Sequence, residues 1–466
     1  MYASADGKIK KTNYNGHVIE NPSMDGHLSV ATPGLVRGLI EFHRKYGKLK
    51  LSEVMAPAIS AAALGFEVYP TLAAALDDRK DIMKLYDSTT KIFFRNGKPL
   101  KLGEILIQKD LAATLTEISE QGDSVFYQGS IGAKIIAEIK KGGGILTATD
   151  LSGYSSMERK PLIGTYRGHE IVSMPPPSSG GVHLIQMLNM IESDDFSGTV
   201  RPSFEYAHLL AEVMRRAFAD RAVYLGDPSF VTVPTEQLTS KAYAAKLRQS
   251  IRSDRATVST DLRNPAVGAK ESESTTHISV VDAEGNAVST TQTINYSFGS
   301  CVVAEGTGIV LNDEMDDFAI APGVANAFGL VQGDSNSIAP GKTPLSSMTP
   351  TIVLDAKGNL KMILGSPGGP KIINAVLQTI LNVIDFDMGL LPAVHAARLH
   401  HQWLPDQIRF ETGALDEASR TGLMKKGHKI IPVSSIGEVS AIMRLADGSW
   451  EGVADSRAEG RAAGVP

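Results

Sequence analysis

Residues 274–295 place a threonine, Thr275, at the start of an alternating strand pattern, directly after the polar run Glu271-Ser272-Glu273-Ser274. A threonine hydroxyl is a weak nucleophile until a base takes its proton. The nearest base it can have is its own α-amino group, which exists only if the chain is cut immediately before it. A cut between Ser274 and Thr275 therefore defines one chemistry: self-cleavage, followed by acyl transfer through a threonine ester. The same residues also fit an ordinary β-hairpin with β-branched filler, so groups elsewhere in the chain have to decide.

Three downstream constellations bear on it. Asn312-Asp313-Glu314-Met315-Asp316-Asp317 packs four carboxylates into five positions. Such a run fits a solvated loop, or a calcium loop, but the alternate-residue ligand spacing and central glycine of an EF-hand are missing. Pairing with a cationic amino group is the more attractive use. Pro344-Leu345-Ser346-Ser347-Met348-Thr349-Pro350 holds two hydroxyl donors side by side, which suits a carboxylate and fits a plain loop as well. Gly365-Ser366-Pro367-Gly368-Gly369-Pro370 leaves backbone N–H groups bare before a helix, as an oxyanion hole requires. A phosphate-binding turn is the other reading, but no G-x-x-x-x-G-K-[ST] pattern is present there.

The elements that position these groups follow from periodicity. His277, Ser279 and Val281 alternate with Ile278 and Val280, and Asp282 to Asn286 supplies turn residues before a second strand from Ala287 to Asn295. A turn centred on Glu284 sets Thr275 opposite Thr293, on one side of the sheet, with Asn295 just beyond. The apolar run Leu360–Leu364 reads as a strand. Lys371–Leu381 reads as a mostly buried helix, with Pro370 at its first position. Thr32-Pro33 opens a helix running to Tyr46. Another spans Ser203–Leu225, with Leu210, Val213, Met214, Ala217 and Phe218 on its core face. Residues 250–274 are polar and without pattern, as suits a mobile tail after cleavage. His395, His400 and His401 read as structural histidines rather than a ligand set.

Composition fits a large folded core: 466 residues, 42% hydrophobic and 21% charged. A net charge of −5 gives no electrostatic reason to expect nucleic acid or an anionic membrane as partner, and no apolar run approaches a membrane span. The single cysteine, Cys301, excludes an internal disulfide and a cysteine-based metal site, and reads as a buried structural thiol.

Thr275-Thr276-His277, Met315-Asp316-Asp317-Phe318, Pro344-Leu345-Ser346-Ser347-Met348 and Gly365-Ser366-Pro367-Gly368-Gly369 together resemble the γ-glutamyltranspeptidases (glutathione hydrolases) in order and spacing. So do Ser173-Met174-Pro175-Pro176-Pro177-Ser178-Ser179-Gly180-Gly181 and the run Arg398–Asp406. The resemblance implies an α/β fold of the N-terminal nucleophile hydrolase type, a four-layer αββα sandwich. Two subunits, 1–274 and 275–466, would arise by self-cleavage and remain together as one interleaved domain.

By position it makes Thr275 the nucleophile and Thr293 the threonine that orients it. Asn295, Glu314 and Asp317 become holders of the donor's α-amino group, Ser346 and Ser347 holders of its α-carboxylate, and Gly368 and Gly369 the oxyanion hole. It implies transfer of the γ-glutamyl group from glutathione and other γ-glutamyl compounds to water, an amino acid or a dipeptide, with no cofactor and no metal. A periplasmic or secreted location is implied too.

Two departures stand out. Met1–Gly7 resembles an interior point of the family's large subunit, and no arginine in the sequence matches the one that pairs with the donor carboxylate. Ser346 and Ser347 are therefore expected to stand without a counter-charge. Phe328, in a segment resembling the active-site lid, replaces a tyrosine, so lid closure is expected to rest on packing. A glutaryl or cephalosporin acylase and an inactive truncated remnant are the alternatives; intact Asn295, Glu314 and Asp317 argue against the acylase.

Overall fold

The computed structural model describes residues 10–196, 203–262, 275–319 and 332–465. The chain divides into two compact units, Met1–Glu158 with Thr293–Asp316, and Arg159–Gln292 with Asp317–Pro466. Each unit therefore takes sequence from both sides of Thr275.

The second unit is built on a six-stranded antiparallel sheet. Its strands, named in chain order, are β1 (Leu162–Tyr166), β2 (His169–Ser173), β5 (Thr351–Leu354), β6 (Leu360–Gly365), β7 (Ser440–Arg444) and β8 (Trp450–Ala454), and they lie in the order β8-β7-β6-β5-β2-β1. Register aligns Val172, Ile352, Ile363 and Ile442 in one row across four strands. Successive strand residues point to opposite faces, so Val353, Met362 and Leu364 turn the other way. They pack there against helices α1 (Gly180–Ile191), α2 (Phe204–Tyr224) and α3 (Lys371–Ile384) through Leu184, Leu188, Val213, Ile373 and Leu377, all buried. Each such side chain contributes about 1.5–3 kcal/mol on burial.

The face carrying Ile363 is covered by the hairpin predicted from sequence, β3 (Thr275–Val281) and β4 (Ala287–Thr293). Ser279 Oγ donates to the Ser440 carbonyl at 3.3 Å. Ser289 Oγ accepts the Thr351 N–H at 3.1 Å and donates to the Leu364 carbonyl at 3.1 Å. Helix, sheet and sheet thus stack as three layers within this unit.

The first unit is mainly helical. Helices Pro70–Met83, Asp87–Phe93 and Ser130–Lys141 bury Leu76, Met83, Phe93, Ile135 and Ile139 around Cys301, Val302 and Val303. Thr89 Oγ1 accepts the Val303 N–H and donates to the Cys301 carbonyl, which fixes the segment after Asn295. Burial pushes the Cys301 thiol up to about 12, as expected of a structural cysteine.

The helix expected from Thr32 begins at Leu35, because Gly34 is its cap residue. Residues 250–262 are not the loose tail that their composition suggests. Thr257 donates both N–H and hydroxyl to the buried Glu212, and Ser259 Oγ donates to the Trp403 carbonyl. Residues 263–274 lie outside the described residues. No described helix is long and apolar enough to cross a membrane.

Candidate active site

Thr275 opens β3. The hairpin closes where Asp282 donates its N–H to the Asn286 carbonyl at 3.1 Å, and His277 Nδ1 lies 2.8 Å from Thr291 Oγ1. Both pairs are equidistant from Glu284, the centre on which the sequence reading placed Thr275 opposite Thr293. Alternation puts the Thr275 side chain on the same side of β3 as His277 and Ser279, the side turned to the six-stranded sheet.

Stepping from Ser279 over Ser440 to His277 over Gly365 brings β3 to the C-terminal end of β6. The approach is close: a Cβ on Gly365 would sit 2.2 Å from the His277 ring. His277 is held from its other nitrogen by Ser279 Oγ at 3.1 Å, and burial pulls it down to about 4, so it is neutral at physiological pH.

Beyond Gly365 the chain makes the predicted turn. Gly368 (φ 125°) and Gly369 (φ 52°) adopt positive φ, which glycine reaches without strain. Their carbonyls accept N–H groups from Lys371 and Ile372 at the start of α3. Among the described residues nothing accepts from the N–H of Gly368 or Gly369. Two bare donors at the positive end of a buried helix can stabilise a developing oxyanion. Pro370 stands one position before the helix rather than within it.

The serine pair is fixed by the motif Ser173–Gly181. Ser179 donates both its N–H and its hydroxyl to the Ser346 carbonyl, each at 2.8 Å, and Ser178 Oγ donates to the Met348 carbonyl at 2.7 Å. Gly180 is required by this contact, since a Cβ there would lie 2.3 Å from the Met348 carbonyl oxygen. The hydroxyl oxygens of the pair are both used as acceptors. Ser346 Oγ takes the Met348 N–H at 3.1 Å, and Ser347 Oγ takes Arg221 Nη2–H at 3.3 Å. Each hydroxyl thus accepts one hydrogen bond, and its proton can be donated to an anion.

The expected absence of a counter-charge is thereby corrected. Arg221 on α2 is 2% exposed, and its Nε donates to Ser179 Oγ at 3.0 Å. Burial pulls its guanidinium down, to about 10, while the Asp317 carboxylate pulls it back, so it stays cationic at neutral pH.

The first unit carries Thr293, Asn295 and Glu314, and the second carries Thr275, Asp317, Ser346, Ser347, Gly368 and Gly369. Thr293 Oγ1 accepts the Asn295 N–H at 2.8 Å, and Asn295 Nδ2 donates to the Asp313 carbonyl at 3.2 Å. The acidic run is not a solvated loop: Asp313 and Asp316 are buried, and Ser23 Oγ donates to Asp316 at 2.7 Å. Glu314 Oε1 has no hydrogen-bond partner among the described residues, and burial pushes Glu314 up to about 7. Ser274 and Phe328 lie outside the described residues.

Sequence reasoning did not single out Arg221, because α2 was read by its apolar face alone. In the structure its polar residues are buried as well. Glu212 binds Arg215 at 2.7 Å and Arg216 at 2.5 Å, each at i+3 or i+4 spacing. Arg221 has no acidic residue at those spacings, so the sequence offered no comparable signal for it. His208, Glu212 and His428 could form a three-ligand metal group by proximity. Their nitrogens are already engaged: His208 Nε2 lies 2.7 Å from the Arg252 carbonyl, and His208 Nδ1 lies 2.7 Å from His428 Nε2. The Arg215 cation adjoins them, so the set fits a hydrogen-bond network better than a cation. His400 and His401 are similarly engaged, with Asn374 and Gln402 and with Arg215 and Asp406.

Comparison with known proteins finds relatives along nearly the whole chain. The gamma-glutamyltranspeptidase family model matches residues 3–465. The glutathione hydrolase proenzyme of Escherichia coli (strain K12) is 42% identical over 446 residues, covering 95% of this chain and 76% of that protein. The acylase ACY 1 proenzyme of Pseudomonas sp. (strain SE83) is 38% identical over 455 residues, 97% of this chain and 77% of that one. The crystal structure of cephalosporin acylase from Bacillus halodurans superposes with a TM-score of 0.81 at 28% identity, over 94% of this chain and 79% of that one. With the motifs in order along nearly its whole length and the same α/β architecture, this chain is a member of the γ-glutamyltranspeptidase family, within the N-terminal nucleophile hydrolases.

Proposed function

We propose that the protein cleaves itself before Thr275 and then acts as a γ-glutamyltransferase and glutathione hydrolase. The observation that carries this reading is the turn at Gly368 and Gly369. Its bare N–H groups lie at the end of the strand that β3 crosses two residues from Thr275. The freed α-amine of Thr275 takes the hydroxyl proton, with Thr293 orienting the hydroxyl. The hydroxyl oxygen attacks the γ-carbonyl, and the oxyanion is received by Gly368 and Gly369. Collapse breaks the amide bond, and the proton passes to the departing amine. Water, an amino acid or a dipeptide then takes the γ-glutamyl group from the threonine ester.

Donor selection rests on two opposite charges. Ser346 and Ser347 donate to the α-carboxylate, while Asn295, Glu314 and Asp317 receive the α-amino group. Fixing both ends holds the γ-carbonyl in near-attack geometry. No step calls for a cofactor or metal.

Purified protein on a denaturing gel tests the first half. Two bands are expected, the smaller beginning at Thr275 by N-terminal sequencing; a persistent single band refutes self-processing. Anilides test the second half. The γ-glutamyl anilide is expected to be the better donor, and preference for the glutaryl anilide, which lacks the α-amino group, assigns an acylase instead.

A further inference from the structure

We infer that Arg221 is the positioning residue that makes the serine pair selective for a carboxylate. It does so by holding Ser347 as a hydrogen-bond donor and placing a positive charge directly behind it. The inference rests on the reading of Ser346 and Ser347 as the donor's carboxylate site.

Four observations carry it. Arg221 is enclosed, at 2% exposure, yet among the described residues Nη1 has no hydrogen-bond partner. A buried guanidinium with an unused donor is costly unless something compensates the charge. The protein supplies only part of that compensation, through Asp317. Its other two donor groups are spent on hydroxyls rather than carboxylates, Nε on Ser179 Oγ and Nη2 on Ser347 Oγ. Arginine cannot accept a hydrogen bond. Ser347 Oγ must therefore act as acceptor toward Arg221, and its own proton points elsewhere.

Ser179 extends the same logic to the neighbouring serine. It accepts from Arg221 and in turn donates to the Ser346 carbonyl at 2.8 Å. One cation thus polarises a short chain of hydroxyls toward the place where an anion binds. Asp317, which acts on Arg221 electrostatically, is also the proposed partner of the donor's ammonium. The cation and anion in the protein then match a ligand whose carboxylate and ammonium share one carbon.

The test uses three anilide donors with the full-length, self-processed enzyme: γ-glutamyl, glutaryl (carboxylate only) and 4-aminobutyryl (ammonium only). Arg221→Gln is expected to raise KM about ten- to hundredfold for the two carboxylate donors, the range of a hydrogen bond to a charged group. It does not raise KM for 4-aminobutyryl anilide, because the Asp317 carboxylate loses a competing cation, and it does not prevent self-cleavage; Arg221→Lys, which keeps the charge, recovers part of the loss. Equal effects on all three donors, or none, overturn the inference and leave Arg221 a packing residue.

If Arg221→Gln does not accumulate, Ser179→Ala serves instead. By releasing Nε it is expected to raise KM severalfold for the same two donors, and an indiscriminate effect again overturns the inference. Ser347→Ala separates this from the underlying reading. If it too fails to distinguish carboxylate donors, the carboxylate site is misassigned. If it distinguishes them and Arg221→Gln does not, only the role of Arg221 falls.

Discussion

Replacing Gly365 by alanine probes how the strand that opens with Thr275 is seated on the sheet. The new Cβ would meet His277 Cε1 at 2.2 Å and Nδ1 at 2.3 Å. Ordinary carbon contacts begin near 3.5 Å, so the ring has to retreat by about 1 Å or more. It cannot do so freely, because Thr291 holds Nδ1 at 2.8 Å and Ser279 lies 3.1 Å from Nε2.

Overpacking costs about 1–3 kcal/mol, and each hydrogen bond lost adds about 1 kcal/mol. A destabilisation of about 2–5 kcal/mol is expected. It is best measured by urea unfolding in a Thr275→Ala background, where the uncut chain avoids a subunit-concentration term. In the otherwise wild-type chain, self-cleavage on a gel time course should slow at least tenfold, since Thr275 lies two residues from the displaced ring. Adding His277→Ser should recover much of both losses. Wild-type stability and cleavage rate in Gly365→Ala, or failure of the second substitution to restore either, would refute the packing argument.

Other substitutions test separate parts of the site. Thr275→Ala should remain a single uncut chain with activity reduced at least a thousandfold, read by gel and anilide hydrolysis. Glu314, raised by burial to about 7, binds its proton more tightly folded than unfolded. Its contribution to stability is therefore present at acid pH and declines as pH rises from the ordinary carboxylate range through about 7. If Glu314 holds the donor ammonium as proposed, it does so in its ionised form, so KM for γ-glutamyl anilide should fall as pH passes 7, and Glu314→Gln should abolish that limb. Glu212→Gln leaves Arg216 buried with a neutral partner and Arg215 with Asp406 as its remaining carboxylate. It should cost about 3–5 kcal/mol in urea unfolding without changing the ratio between the three anilides.

The local elements of the candidate site were legible because their conformation is written in adjacent residues. The hairpin turn, the glycine step into α3 and the paired hydroxyls each need particular residue types within a few positions. The long-range parts were not. Nothing in Ser173–Gly181 announces that Ser179 will fasten the Ser346 carbonyl or that Gly180 is small for the sake of Met348. The pairing of β2 with β5 joins residues far apart in sequence. Arg221 was hidden for a different reason. A basic residue on a long helix ordinarily belongs to a wet face, and only the packing of α2 on all sides turns it into a buried cation.

The division of the chain into two units has a consequence for what a cut before Thr275 would leave. Cys301, Val302 and Val303 would sit in one polypeptide and Leu76, Phe93 and Ile135 of the same core in the other. In the second unit, the helix-facing residues of β5 and β6 would share a core with α1 and α2 across the same break. Parting the two products means opening two hydrophobic cores rather than lifting one surface from another. Such a pair would be expected to behave on dilution as a nicked single protein rather than as two independently folded subunits.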